Sequence, residues 1–334
     1  MRKVLVTGGA GYIGSHVVQQ LVARGESVVV IDNLSTGFRE AVQDAELVVG
    51  NVGDIDLVSS VLRGCGIDAV MHFAAHTVVP ESVSEPLKYY GNNTCNTRNL
   101  LAACADAGVD KFIFSSTAAV YGLTEQGVAD ENTPTHPVNP YGMSKLMSET
   151  MLADYCATGL MRHVILRYFN VAGCDPAGRI GHSAPTATLL IKAACEHAVG
   201  KRDFLAIYGT DYDTPDGTGI RDYIHVDDLA AAHLRALDHL RSGGTSLTLN
   251  CGYGHGYSVR EVLDSVARVG GQPLNIVELP RREGDLAKLI ACSDRLKQVL
   301  DWQPQYDDLD FIVRTALAWE RKLGSKRMPL PSVA

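Results

Sequence analysis

Tyr141 and Lys145 stand in a Y-x-x-x-K spacing. On a helix, residues four apart share one face, so phenol and ammonium would project together. A phenol titrates near 10 in water, too high for a base at neutral pH. A neighbouring ammonium favours the phenolate and lets tyrosine accept a proton from an alcohol. The spacing alone is common on ordinary helices, where it marks a surface pair. Ser115-Ser116-Thr117 raises its significance, because these residues close an apolar stretch patterned as a strand. Ligands in parallel α/β sheets bind at the carboxyl ends of strands. Thr117 there could offer a hydroxyl to the same substrate oxygen that Tyr141 deprotonates. Thr117, Tyr141 and Lys145 form the expected catalytic set.

The N-terminus adds a second signal, a loop suited to a dinucleotide. Gly8, Gly11 and Gly14 are spaced G-x-x-G-x-x-G between a strand-like run and a helix-like run. One glycine permits the tight turn, one lets backbone N–H groups approach a pyrophosphate, and one lets helix and strand pack closely. The helix N-terminus then faces the anion with its positive dipole end. Asp32 ends the next strand-like run and is followed by Asn33, with no adjacent arginine. A carboxylate there accepts from an adenosine ribose and repels a 2′-phosphate, so NAD is expected rather than NADP. The glycine spacing differs from the common G-x-G-x-x-G and points to the extended short-chain dehydrogenase class.

The elements that must position these groups follow from periodicity. Residues 3–7, 27–32, 69–74, 111–115 and 163–168 read as strands, and 13–24, 57–63, 92–107 and 141–158 as helices. Strand then helix, repeated, predicts a Rossmann-type doubly wound parallel sheet with helices on both faces. Beyond about residue 170 the alternation weakens and Gly, Pro and Asp gather at 174–185 and 209–219. This predicts long ordered loops and a smaller α/β C-terminal substrate domain. The expected division is 1–170 for NAD and 171–334 mainly for substrate, with about 220–252 returning to the first domain.

Composition excludes other classes. With 334 residues, 46% hydrophobic and 20% charged, the chain can bury a core. Net charge −8 with dispersed Lys and Arg argues against nucleic acid as a partner. No apolar run approaches the roughly 20 residues that cross a bilayer, so no membrane partner is expected. Met1-Arg2-Lys3 before Val4-Leu5-Val6 begins like a secretion signal, but the run breaks at Gly8-Gly9. The eight cysteines include no C-x-x-C pair and the eleven histidines no metal-ligand spacing. Reduced, buried thiols, a cytoplasmic location and no metal are expected.

The motifs together resemble the UDP-glucose 4-epimerase (UDP-galactose 4-epimerase) family of the extended short-chain dehydrogenases over nearly the whole chain. The landmarks are TGGAGYIGSH at 7–16, DNLSTG at 32–37, HFAA at 72–75, PLKYYGNN at 86–93, FSSTAAVYG at 114–122, NPYGMSK at 139–145, LRYFNVAG at 166–173, DGTGIRDYIHVDDLA at 216–230 and RREGDL at 281–286. The resemblance implies a tightly held NAD that is not consumed. Tyr141 would take the proton from the sugar 4-hydroxyl while C4 gives up hydride. The 4-keto sugar would then turn about its link to UDP and take hydride back on its other face.

By the same resemblance, NAD would meet Gly8, Gly11, Tyr12, Ile13, Gly14, Asp32, Asn33, Asp54, Ile55, Phe73, Ala74, Ala75, Asn92, Ser115, Tyr141, Lys145 and Tyr168. Asp54-Ile55 would lie at the adenine. The UDP-sugar would meet Thr117, Asn170, Ala206, Tyr208, Arg221, Tyr223, Arg282 and Asp285. Asn170, Arg221 and Arg282 match positions that hold the diphosphate, for which a guanidinium fork is suited. Asp285 matches a uridine-ribose contact, and Ala206 and Tyr208 positions beside uracil. Some members carry Ser at Thr117, Lys at Thr77 and Asn at Leu189. Loss of the lysine charge could loosen NAD, and the role of the asparagine is not carried over. Leu289 holds the position that limits room around the sugar 2-substituent, which leaves UDP-N-acetylglucosamine open beside UDP-pentoses. A sugar-nucleotide 4,6-dehydratase would need an acid and a base directly after Thr117, where Ala118-Ala119 stand. A non-catalytic NAD sensor would not need an intact Tyr/Lys pair. The family also implies a homodimer through helices 92–107 and 141–158, with Leu100, Leu101 and Val109 as apolar support.

Overall fold

The structure, a computed structural model, describes residues 2–124, 127–184, 188–282 and 284–325. Glu283 of the RREGDL stretch and Pro185 of the first Gly/Pro-rich stretch lie outside the described residues.

Seven parallel strands form the main sheet: β1 (Lys3–Thr7), β2 (Ser27–Asp32), β3 (Glu46–Val49), β4 (Ile67–His72), β5 (Lys111–Thr117), β6 (Arg162–Tyr168) and β7 (Leu247–Cys251). Their order is β7-β6-β5-β4-β1-β2-β3. The inner strands are continuous apolar runs, as a sheet covered on both faces requires. Side chains alternate between two cores. Val4, Val6, Val28 and Val30 face α1 (Tyr12–Ala23) and α6 (Val226–Arg241), while Leu5, Val29 and Ile31 face α2 (Ile55–Cys65), α3 (Asn96–Ala107) and α4 (Pro140–Ala157). This is the doubly wound α/β fold the alternation predicts.

A second layer of α5 (Leu190–Ala198), α7 (Val259–Gly270) and α8 (Leu309–Ser325) packs together through Ile191, Val262, Val266, Ile312 and Leu317, continuous with the first core. Two parallel strands, Leu205–Tyr208 and Ile276–Leu279, lie beside it. A four-stranded sheet joins Tyr257–Ser258, Ile220–Arg221, Lys288–Ala291 and Val128–Ala129.

Several boundaries differ from expectation. The strand expected at 69–74 runs Ile67–His72, and Phe73-Ala74 belong to the segment that leaves its end. The helix expected from 92 starts earlier: Tyr90–Cys95 form a π-helical turn before α3. Strand β3 is only four residues long with no residue fully buried, so its apolar run is too short to stand out as its neighbours' do. Leu100, Leu101 and Val109 are fully used inside the protomer core and lend no apolar surface to an interface.

Candidate active site

Strand order reverses between β1 and β4, so the chain leaves their carboxyl ends in opposite directions and opens a crevice. Gly8 lies there with φ +72°, and a Cβ on it would sit 2.6 Å from the backbone nitrogen of Ala74. A Cβ on Gly14 would sit 2.3 Å from the carbonyl oxygen of Gly8. Only bare glycine lets this loop close on α1 and on the Phe73-Ala74-Ala75 segment. The first turn of α1 has glycine at its N-cap, no side-chain cap and no acidic residue. By contrast Asp54 caps α2 by accepting from Leu57 N at 3.1 Å, and Asn139 caps α4 by accepting from Gly142 N at 2.9 Å. An uncapped N-terminus behind a glycine cradle fits a pyrophosphate.

Asp32 braces that cradle. Its carboxylate accepts from Ala10 N at 3.0 Å and Leu34 N at 2.8 Å. Burial pushes this carboxyl up, and the two N–H groups pull it back. Asn33 is bound to the backbone of Ser35. Tyr12 donates to Gly173 O at 2.7 Å and stacks on His182, and Ile13 follows it in α1. Ile55 is exposed at the start of α2. Asn92 donates to Asn93 and accepts from Asn96.

Thr117, Tyr141 and Lys145 come together at the carboxyl end of β5. Asn139 and Pro140 fix the start of α4 and so the direction of its first turn. The Thr117 hydroxyl faces the Tyr141 phenol closely enough to pull its titration down, and it accepts from Ala119 N at 3.1 Å. Lys145 Nζ donates to Ser115 O at 2.8 Å and lies 4.8 Å from the centre of the Phe114 ring. Burial pulls its ammonium down to about 8, with Glu149 acting the other way. Burial raises the Tyr141 phenol, and Thr117 pulls it back. Ser115 and Tyr168 share a 2.8 Å hydroxyl–hydroxyl bond, and burial pushes Tyr168 up.

On the far side, Arg282 lies 4.7 Å over the Tyr208 ring and donates to Asp285 at 2.8 Å. Arg221 approaches the same carboxylate at 3.8 Å. Ala206 belongs to the strand of Tyr208. Asn170 pairs in register with Tyr223, whose ring is buried. Leu289 is the register partner of Arg221 and packs against Ala118, Val120 and Tyr121, directly after Thr117. It therefore borders the turn after Thr117 while serving the core. Leu189 starts α5 without capping it, and Thr77 is exposed beyond β4.

Sequence reasoning missed the supports beneath the site. Asn93 is buried, accepts from His76 N at 2.8 Å, and donates to His76 O and to Ser144 Oγ, both at 3.0 Å. It ties the segment after β4 to α4. His72 lies between Thr7 at 2.6 Å and Thr97 at 2.9 Å. Thr97 spends its proton on Asn93 O, so His72 Nε2 must donate to Thr97 while Nδ1 accepts from Thr7. Burial, with Lys145 second, holds His72 neutral by pulling it down to about 3. Among the described residues, no cluster of three His, Cys, Asp or Glu could hold a metal ion, and no helix is long and apolar enough to cross a membrane.

With this geometry in place, comparison with known proteins decides the family. The NAD dependent epimerase/dehydratase family matches residues 4–252. The UDP-glucose 4-epimerase of Azospirillum brasilense is 58% identical over 322 residues, 96% of this chain and 92% of that one. The chain belongs to the UDP-glucose 4-epimerase family. Two solved structures agree in fold. The Brucella ovis UDP-glucose 4-epimerase in complex with NAD has TM-score 0.93 at 43% identity, covering 95% of this chain and 98% of that one. The UDP-Glc/GlcNAc 4-epimerase of Campylobacter jejuni has TM-score 0.85 at 47% identity, covering 96% and 100%.

Proposed function

We propose that the protein is an NAD-dependent epimerase that interconverts UDP-galactose and UDP-glucose. The observation that carries this reading is the meeting of Tyr141, Thr117 and Lys145 at the end of β5, in a chain whose glycine cradle and Asp32 fit NAD. Bound NAD supplies the hydride acceptor and donor for C4 and, when oxidised, a positive charge that favours the phenolate. Tyr141 takes the proton of the 4-hydroxyl and returns it after the sugar has turned. Thr117 donates to the same oxygen, and Lys145 favours the ionised phenol that burial alone opposes. Gly8, Gly11, Tyr12, Ile13 and Gly14 hold the pyrophosphate, and Asp32 and Asn33 the adenosine ribose. Arg221, Arg282 and Asn170 hold the UDP diphosphate, Asp285 its ribose, and Tyr208 and Ala206 its base. Anchoring by UDP with few hexose contacts lets the 4-keto sugar present either face.

Residues 1–170, with about 220–252, form the NAD half in this reading, and the remainder mainly binds UDP-sugar. A cytoplasmic homodimer is part of it: Val83, Leu87 and Met147 leave apolar surface beside α4, where a second copy would pack.

The test is a product assay with UDP-galactose, with and without added NAD. Tyr141→Phe should keep NAD and lose at least about a hundredfold in turnover. Turnover within a few-fold of the unaltered enzyme refutes the role of Tyr141. A broader sugar range is the second reading, favoured by Leu289, an aliphatic side chain bordering the catalytic turn. UDP-N-acetylgalactosamine and UDP-arabinose assayed in parallel decide it.

A further inference from the structure

One face of α4 carries Lys145 and, a turn later, Glu149. The strand beneath carries Phe114 and, one pleat later, Ser116. Lys145 lies over Phe114, and Glu149 accepts the hydroxyl of Ser116. Ser116 pairs in register with Arg167 of β6. Arg167 donates to both Glu149 oxygens, Nε at 3.0 and 3.1 Å and Nη2 at 2.6 Å, and donates from Nη1 to Tyr121 at 3.1 Å. Tyr121 donates to Asn250 Oδ1 at 2.7 Å. Glu149 is 4% exposed and Arg167 8%, so the pair is desolvated. Replacing such a pair by apolar residues often stabilises a protein, so stability alone does not account for it.

We propose that Glu149, gripped by Arg167 and Ser116, is a positioning residue of the epimerase reaction that sets the register of α4 on β5 and holds Lys145 as the ammonium. The proposal rests on the reading of Tyr141, Thr117 and Lys145 as the reacting set. Ser115 gives Lys145 its carbonyl, Ser116 gives Glu149 its hydroxyl, and Thr117 meets Tyr141. Ser115 and Ser116 of β5 thus fasten Lys145 and Glu149 of α4 at helical spacing, and Thr117 next to them faces Tyr141. The other titratable groups around Lys145 and Glu149 are His72 of β4, Arg167 and Tyr168 of β6, Tyr121 after β5, and Tyr141. His72 is neutral and cannot replace the carboxylate; among the described residues Arg167 is ion-paired with Glu149, and the Glu131 carboxylate stands further off, beyond Tyr121 and Asn250.

The experiment measures kcat and KM for UDP-galactose against pH on the NAD-bound enzyme, for Glu149→Gln and Glu149→Asp. Glu149→Gln keeps the shape and removes the charge, leaving Arg167 uncompensated. Its basic limb of kcat should move down by about one pH unit, and its kcat should fall at least about tenfold. KM should stay within about twofold, because Glu149 lies outside the substrate side. Glu149→Asp should return the limb toward its original position while kcat stays low, because the shorter side chain loses Ser116. A basic limb unmoved by Glu149→Gln, or moved as far by Glu149→Asp, overturns the proposal. If Glu149→Gln does not fold, Ser116→Ala serves: kcat should fall several-fold with KM and bound NAD unchanged, and an unchanged kcat overturns the register role. Failure of the reacting-set reading looks different, since Tyr141→Phe would then retain turnover.

Discussion

Gly14→Ala should weaken NAD more than it weakens the fold. The added Cβ would lie 2.3 Å from Gly8 O and 2.9 Å from the Gly9 Cα, both backbone atoms that no rotamer change can move aside. Ordinary contact lies near ~3.5 Å, so the glycine loop must retreat by about 1 Å. A loop amide placed ~2.9 Å from a phosphate oxygen would then stand beyond hydrogen-bond range. A hydrogen bond to a charged group contributes about 1.5–3 kcal/mol. At about 1.4 kcal/mol per tenfold, losing one weakens NAD roughly 10- to 150-fold. The fold loses less: overpacking costs about 1–3 kcal/mol, and about 1 kcal/mol returns because alanine is the better helix former. Gly64→Ala in α2 is the control, since its Cβ would meet nothing within 4 Å. The assay is calorimetric titration of NAD into stripped protein, beside a thermal unfolding scan. NAD affinity in Gly14→Ala within about threefold of the unaltered protein would refute the cradle as the pyrophosphate site.

Other expectations follow from individual contacts. Asp32→Asn keeps an acceptor but drops the charge, so the preference for NAD over NADP should narrow by about tenfold or more in paired binding titrations. Asn139→Ala removes the cap of α4 and should cost about 1 kcal/mol in urea unfolding. Lys145 is pulled from 10.5 to about 8, so kcat should decline as pH rises through about 8. The unfolded chain binds the extra proton between those values, so the contribution of Lys145 to stability grows from about pH 8 to 10.5. Buried histidines act at the other end. Burial lowers His72 and His182 to about 3 and His163, His225 and His233 to about 4. The unfolded chain takes up these protons first, so the urea midpoint should fall from pH 7 to pH 5; an unchanged midpoint would contradict their burial as neutral rings.

What was legible in the sequence is what chemistry or backbone geometry restricts to few residue types. β1 and β2 end where expected because Gly8 and Asp32-Asn33 punctuate valine-rich runs buried on both faces. Tyr141 and Lys145 could be paired because a helix alone fixes their spacing, and Pro140 marks where that helix begins. The features that escaped depend on register between distant segments. The π-helical turn at Tyr90–Cys95 has no local signature, because the amide of Asn93 within it answers to the backbone of His76 and to Ser144. β3 is four residues long at the sheet edge, where little burial is demanded of it. Glu149 was visible as one more helical acid after Lys145. Its meaning appears only when β5 and β6 pair and set Arg167 beside Ser116. Arg282 and Tyr208 are both named from the family motifs, but the stacking of one on the other is visible only in the fold. The Tyr141–Lys145 pair is thus readable because one element supplies both, and Thr117 because it closes a recognisable strand. The residues that keep those groups in place belong to the sheet's pairing, and they come into view only with the third dimension.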